Sequence, residues 1–549
     1  MALPRGLRFQ AGYRFPTVIY RSAHRFDSGL VSEVVTATFH STGGMVCSVD
    51  QLASSAGLAV LRAGGSAVDA AIATNAVLTV TAPHMCGMGG DLYALVHVNG
   101  QPVTALNASG RAGSGADPAA LRDAGHTVMP VKNDLASVTT PGCVDGWLAL
   151  HDRYGRLPLA QVLADAIGYA ADGFPASPLL ARSSALLAGT AGAEDLAAAS
   201  RPGSVVRRPG VARALAAVVD GGRAGFYQGD FGRGLLEMGN GQFTADDLAV
   251  VNADWVDPIS VRVFGHRVWT TPPNSQGYLL LLSLAIAERL DLPDDPNSPQ
   301  WAHLLIEASR LAGFDRPDRL FEGADVTPLL TEGEVGARAD RISRTGVSRV
   351  PSPADPGDTT YLCAIDADGV GVSLIQSNAA GFGSGIFEPN TGIGLHNRGL
   401  GFNLVPGHPA EYGPGRRPPH TLVPALVTRP DGTLRAIAGT MGGDTQPQIV
   451  LQILTRLLRH GQTAGEAVGA PRWRIGNRNG FDTWADQGNN PTQVEAQAPA
   501  GWSDLAAIGH DVETVTDHFG HAHLIDVDDQ LVRSGAADPR AVISAVSAY

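Results

Sequence analysis

Apolar and polar positions change period several times along the chain, and each change marks an element. Met45-Val46-Cys47-Ser48-Val49 is a short apolar run that predicts a strand. From Gln51 to Ala63 alanine, leucine and valine recur at helical spacing, and the pattern closes at Gly64-Gly65. The next stretch, Ala67 to Val80, is apolar at nearly every position and predicts a helix buried all round. Leu159 to Ala171 reads as a further packing helix, and helical patterns dominate from about 172 to 340. Thr360 to Ile365 alternates toward β structure, Ala367-Asp368-Gly369 turns, and a second strand begins at Val370, so a hairpin is expected there. Beyond it short strands and loops alternate, with one clear helix near Pro447 to His460. Residues 1–43 show little periodicity and read as an extension. Arg338 to Asp358 is polar, carries Pro351, Pro353 and Pro356, and reads as an exposed, mobile connection. Periodicity alone supports a mixed α and β protein and no more.

Composition narrows the function classes. The chain has 549 residues, 44% hydrophobic and 17% charged, which reads as soluble and globular. Its 40 basic and 53 acidic residues leave a net charge of −13, which argues against a nucleic-acid partner. The longest apolar stretch, Tyr278 to Ala287, is stopped by Glu288 and is too short to span a bilayer. Met1 to Tyr20 carries Arg5, Arg8 and Arg14 without an apolar core, so a cytoplasmic protein with no membrane partner is expected. Cys47, Cys86, Cys143 and Cys363 stand far apart and read as buried thiols. Gly87-Met88-Gly89-Gly90 is a poor phosphate loop, because it lies between a buried helix and a strand and matches no nucleotide fingerprint. The His518, His521, His523 cluster has weak spacing for a metal and reads as ordinary histidines. Neither a cofactor nor a metal is expected.

The motifs that carry chemistry come in a specific order. Pro356-Gly357-Asp358-Thr359-Thr360-Tyr361 opens the hairpin; then follow Ser377-Asn378, Gly381-Phe382-Gly383-Ser384-Gly385, Thr391-Gly392-Ile393-Gly394-Leu395, Arg417-Pro418-Pro419-His420-Thr421 and Gly439-Thr440-Met441-Gly442-Gly443. Upstream, Leu52 through Gly65-Ser66-Ala67-Val68-Asp69-Ala70-Ala71 to Gly89-Gly90-Asp91 belongs to the same series. This order resembles the γ-glutamyltranspeptidase family of N-terminal-nucleophile hydrolases. The resemblance implies an α+β fold, a four-layer αββα sandwich. It also implies a self-inflicted cut between Asp358 and Thr359, giving a large fragment (44–358 after the extension) and a small fragment (359–549) that associate into one body.

The same resemblance assigns the site. Thr359 would be the nucleophile, and its freed α-amine, with an ordinary pKa of about 7.7–8.0, the base. Ser377 falls where a second hydroxyl orients that amine. Gly442 and Gly443 match the pair whose amides form the oxyanion hole. Arg111, Asn378, Arg398, His420 and Thr421 fall at substrate-binding positions, although Arg111 by itself reads as a solvated turn arginine. A guanidinium fork suits a carboxylate. One departure bears on substrate. Where the transpeptidases carry an acid for the donor's α-ammonium, this chain has Gly401, with Arg398 nearby and His420-Thr421 in place of paired serines. These changes resemble the sub-branch that hydrolyses glutaryl and other simple acyl amides, including cephalosporin acylases. Pro406 to Pro418 is shorter than in members with a lid, so an open cleft is expected. Two other readings stand beside this one, a silent homologue that binds without reacting and a nucleotide-dependent enzyme. The second lacks a Walker lysine and an acidic ribose partner.

Overall fold

The computed structural model describes residues 36–197, 199–348, 358–476, 491–516 and 519–549. The connection at 349–357, with its three prolines, and His518 lie outside the described residues. The two N-terminal periodic stretches become α1 (Gln51–Arg62) and α2 (Ala67–Thr81). Asp50 accepts from the Leu52 amide to cap α1, and Ser66 with Asp69 makes a reciprocal capping box on α2. Such caps contribute typically about 1 kcal/mol each. Every residue of α2 is buried, as its unbroken apolar pattern implies.

Around these helices run β1 (Phe39–Ser41), β2 (Met45–Ser48), β3 (Asp91–His97) and β4 (Thr104–Ala108). β1 falls inside the expected N-terminal extension and pairs with the body, Phe39 opposite Gly535, so the break in structure does not lie at residue 43. Within the helix-rich stretch come three more strands, β5 (Asp254–Val256), β6 (Ile259–Val263) and β7 (His266–Thr270), followed by α3 (Gly277–Arg289) and α4 (Pro299–Gly313). The strand period was present there: Val261 and Val263 alternate with polar partners and turn inward. Arg338, expected to open a mobile connection, instead lies in the last turn of a helix and is buried against Asp315 and Glu334. The hairpin is β8 (Asp358–Ile365) and β9 (Gly371–Ala379); then follow β10 (Ala425–Thr428), β11 (Leu434–Thr440), α5 (Gln446–Leu458), β12 (Ala522–Val527), β13 (Arg533–Ala537) and β14 (Ala545–Ala548).

Two seven-stranded sheets form, one ordered β14-β2-β8-β9-β3-β4-β5 and the other β1-β13-β12-β11-β10-β7-β6. Every pairing in both is antiparallel. The period of two then sorts the side chains. Tyr361, Cys363 and Ile365 of β8 meet Leu426, Ile437 and Ile525 of the opposite sheet. Leu362 and Ala364 point the other way, into the layer of α1 and α2. The far face of the second sheet, with Val268, Ala436 and Leu524, packs on α3, α4 and α5. The result is the four-layer αββα sandwich. Among the described residues no helix is long and apolar enough to cross a membrane.

Candidate active site

The two strands of the central hairpin do not run in simple register at their open end. Asp358 stands opposite Ala379 and Thr360 opposite Gln376, so two residues of β9 face the single residue Thr359. A bulge of this kind re-aims side chains. Here it brings Ser377 Oγ to 3.0 Å from Thr359 Oγ1, with both residues buried. The Ala379 amide donates to Ser377 Oγ at 2.8 Å and Arg398 Nη2 donates at 3.1 Å. A hydroxyl accepts two hydrogen bonds and donates one. These two donors hold Ser377 Oγ beside Thr359 Oγ1.

Below this pair lies Asp91, the first residue of β3 and wholly buried. Its Oδ1 accepts from the Gly110 amide at 3.0 Å, and its Oδ2 meets His420 Nε2 at 2.8 Å, His396 Nδ1 at 3.3 Å and Arg398 Nε at 3.6 Å. Burial alone would raise the Asp91 pKa, but His396 and the ring hydrogen bonds outweigh it and hold the carboxyl well below its usual range. Burial, then Arg398, pushes His420 down to about 3, so its ring is neutral. The Leu422 amide donates to His420 Nδ1 at 3.3 Å, which fixes the proton on Nε2, facing Asp91. Burial also lowers Arg398, to about 10 against the pull of Asp91, and it stays charged at neutral pH. Arg398 Nη1 donates to Thr421 Oγ1 at 3.0 Å. Asp91 thus orients the arginine that orients Ser377.

The glycine pair lies where β11 runs out. Gly442 and Gly443 take φ of 137° and 54°, both positive and favoured by glycine, and neither amide donates to an acceptor among the described residues. Gln276 Nε2 bonds both the Gly443 carbonyl at 3.1 Å and the Thr421 carbonyl at 2.9 Å, tying the pair to the rest of the site. Gln276 Oε1 accepts from Arg316 Nε at 3.1 Å, and Arg316 Nη2 pairs with Asp444 at 3.0 Å. Arg316, Asp444, Arg398 and Thr421 open on a cleft of about 210 Å³, whose apolar wall includes Leu400 and Phe402. Val405, His408 and Ala410 line the same cleft, so the short 406–418 segment supplies one of its sides. Gly401 lines it too. A Cβ there would stand 2.3 Å from the Pro419 carbonyl oxygen, so no acid fits at that position without moving the backbone.

Thr359, Ser377, Arg398, His420, Thr421 and Gly443 are therefore joined in one hydrogen-bonded set, with Gly442 beside it. Asn378 adjoins that set but is used locally, its amide donating to Met85 O and its Nδ2 to Pro83 O. Arg111 stands apart: its Nη1 donates to Glu322 Oε1 at 2.7 Å and to Gly415 O at 3.0 Å. An incoming carboxylate would have to displace Glu322 to reach it. The sequence reading missed Asp91, His396, Gln276, Arg316 and Asp444. Asp91 and Asp444 each directly follow a Gly-Gly pair, which was the available signal. In the glycine loop the Gly87 amide is taken by Gln376 Oε1 at 3.1 Å and the Gly90 amide by Gly87 O at 2.9 Å, leaving no cradle for a phosphate. His523 stacks on Tyr361 between the sheets rather than turning toward a shared ion.

The chain is similar to known proteins over most of its length. The family model described as Gamma-glutamyltranspeptidase matches residues 53–548. The chain is 36% identical to the Glutathione hydrolase-like YwrD proenzyme of Bacillus subtilis, over 91% of this chain and 97% of that one. It is also 36% identical to the Oxamate amidohydrolase proenzyme of Klebsiella pneumoniae, with the same coverage. The crystal structure of cephalosporin acylase from Bacillus halodurans superposes with a TM-score of 0.85 at 33% identity, covering 96% of this chain and 99% of that one.

Proposed function

The chain belongs to the γ-glutamyltranspeptidase family, and we propose that it is a self-processing amidase acting through Thr359 on acyl amides whose acyl group ends in a carboxylate. The observation that carries this reading is the 3.0 Å Thr359–Ser377 pair, aligned by the buried Arg398, with Gly401 where an ammonium-binding acid would be expected. Names of relatives point the same way: proenzymes, an oxamate amidohydrolase and a cephalosporin acylase.

In the first reaction Thr359 Oγ attacks the Asp358 carbonyl carbon, the C–N bond breaks, and water hydrolyses the resulting ester. This leaves fragments 1–358 and 359–549 held together, with an amine on Thr359. In turnover that amine takes the Thr359 hydroxyl proton as Oγ attacks the substrate amide. The tetrahedral oxyanion meets the amides of Gly442 and Gly443, each such donor supplying about 3 kcal/mol. The leaving amine departs with the proton, and water releases the acid from the Thr359 ester. Arg398 and Thr421, with Arg316 beyond, face the acyl tail. A tail carboxylate with no α-amine suits them, since no acid stands at 401. Glutaryl amides fit this description, and γ-glutamyl amides fit it less well.

Intact mass and N-terminal sequencing test the first step. We expect two fragments, the smaller starting Thr-Thr-Tyr-Leu, and a single chain in Thr359→Ala. That variant should lose at least about 10⁴-fold in activity. Glutaryl and γ-glutamyl p-nitroanilides and oxamate, compared by kcat/KM, rank the donors. An intact chain that turns over none of them would overturn the proposal in favour of a silent, unprocessed homologue that only binds.

A further inference from the structure

Away from this site, the only gathering of metal-type ligands among the described residues is His303, Glu307 and His510, whose donor atoms all lie within 4.8 Å of one another. His303 and Glu307 sit four residues apart on α4, hence on one face of it. All three are buried, His303 and Glu307 completely. We infer that this cluster is a zinc site, and that the ion joins α4 to the His510 loop.

His303 Nε2 meets the Ser343 carbonyl at 2.7 Å, and a carbonyl only accepts, so that nitrogen carries the proton. The Nδ1 lone pair then faces inward, where it meets His510 Nε2 at 2.7 Å. The far nitrogen of His510 lies 3.4 Å from Thr492 Oγ1. Glu307 Oε2 accepts from the Ser348 amide at 2.6 Å, but Oε1 accepts no hydrogen bond among the described residues. Its nearest positive neighbour is Arg310 Nε at 3.6 Å. A fully buried carboxylate oxygen without a hydrogen bond is costly unless something charged satisfies it. Each inward donor thus has an outer partner that fixes its direction: a carbonyl for His303, a hydroxyl for His510, an amide for Glu307. That is how the outer partners of metal ligands are usually arranged.

Two imidazoles and one carboxylate, with a fourth position open, form a donor set that zinc favours. Binding needs one local change. Tetrahedral ligation separates two nitrogens by about 3.3 Å, so the two rings must part by about 0.6 Å from their hydrogen-bonded distance. The His510 proton moves from Nε2 to Nδ1, toward Thr492, and no net proton is released. Glu307 Oε1 has a lone pair for the ion and another for Arg310. The inference does not depend on the reaction proposed for Thr359.

The test uses the full chain, freed of metal with a chelator and dialysed. Zinc titration by calorimetry should give one ion per chain with a dissociation constant of micromolar or tighter, and zinc should raise Tm. Cobalt should give the absorption of a tetrahedral nitrogen and oxygen site. Glu307→Gln and His510→Gln keep most of the volume and remove a ligand, so each should weaken zinc by more than about tenfold and abolish the cobalt spectrum. Absence of stoichiometric binding would overturn the inference. So would tight binding that survives in both variants.

Discussion

The Asp91 and Glu307 clusters are built from the same parts, a buried carboxylate, two histidines and an arginine, yet they are finished differently. Around Asp91 both oxygens are occupied, by the Gly110 amide on one side and by His420, His396 and Arg398 on the other. Around Glu307 one oxygen is bonded to the Ser348 amide and the other accepts nothing among the described residues. The first cluster is closed, and its function is to hold Arg398 against Ser377. In the second, the His303 lone pair is met by the His510 proton, and Glu307 Oε1 is left without a hydrogen bond among the described residues. Residue types alone do not separate a support from a ligand set; the count of unfilled lone pairs does.

The sharpest way to break this comparison is to remove each carboxylate. Asp91→Ala leaves Arg398 as an uncompensated buried charge, a change that typically costs 3–5 kcal/mol, or about that much in denaturant unfolding of the uncut Thr359→Ala chain. Glu307→Gln in metal-free protein should cost less, because the amide keeps an acceptor for the Ser348 N–H and only the charge beside Arg310 is lost. Equal losses would mean that the Glu307 cluster is as closed as the other. Next in size is Arg398→Gln, which keeps a donor near Ser377 but removes the charge. It should lower kcat/KM for a glutaryl anilide by about 10- to 100-fold and for a γ-glutamyl anilide by less, the worth of one charge-assisted hydrogen bond.

Within any one pH unit the smallest effect is that of pH, and it separates the clusters too. Burial pushes His510 down to about 3, followed by Arg310 and His303, and Glu307 also faces it. Its folded pKa is therefore depressed below the unfolded value of about 6.5. As pH falls from 6.5 towards 3 the unfolded chain takes up a proton that the folded chain refuses, so stability falls with pH. His510→Gln should flatten the stability profile in that window by up to about 1.4 kcal/mol per pH unit. His420, pushed to about 3 as well, adds the same slope and is untouched by that variant.

Local signals were legible in the sequence, and distant ones were not. α1 and α2 end within a residue of where Gly64-Gly65 and Val80 placed them, because caps and periodicity are read over a few positions. The hairpin was legible for the same reason. The strands β6 and β7 were passed over in a helix-rich stretch, although their alternation was there to be counted. The candidate set around Thr359 and Ser377 was named from the order of its motifs, but the residue beneath it was not. Asp91 and His420 stand 329 residues apart, and nothing in either neighbourhood announces the other. The histidines show the same limit in reverse. His521 and His523 stand together in sequence, and His523 stacks on Tyr361, whereas His303 and His510, 207 residues apart, are in contact.

The strand order carries a further consequence. Residues before 358 contribute β2, β3, β4 and β5 to the first sheet, and residues after it contribute β8, β9 and β14, so the two sets interleave. In the second sheet β1 and β7-β6 flank a block made wholly from the later part of the chain. Neither half holds a full sheet of its own. If the bond before Thr359 is severed, the two pieces leave each other only by tearing strands from the middle of a sheet, and separated pieces have no template on which to rebuild it. Folding must then come first and scission second. A gene split at this point, with its halves expressed apart, should give insoluble protein where the continuous gene gives a paired product.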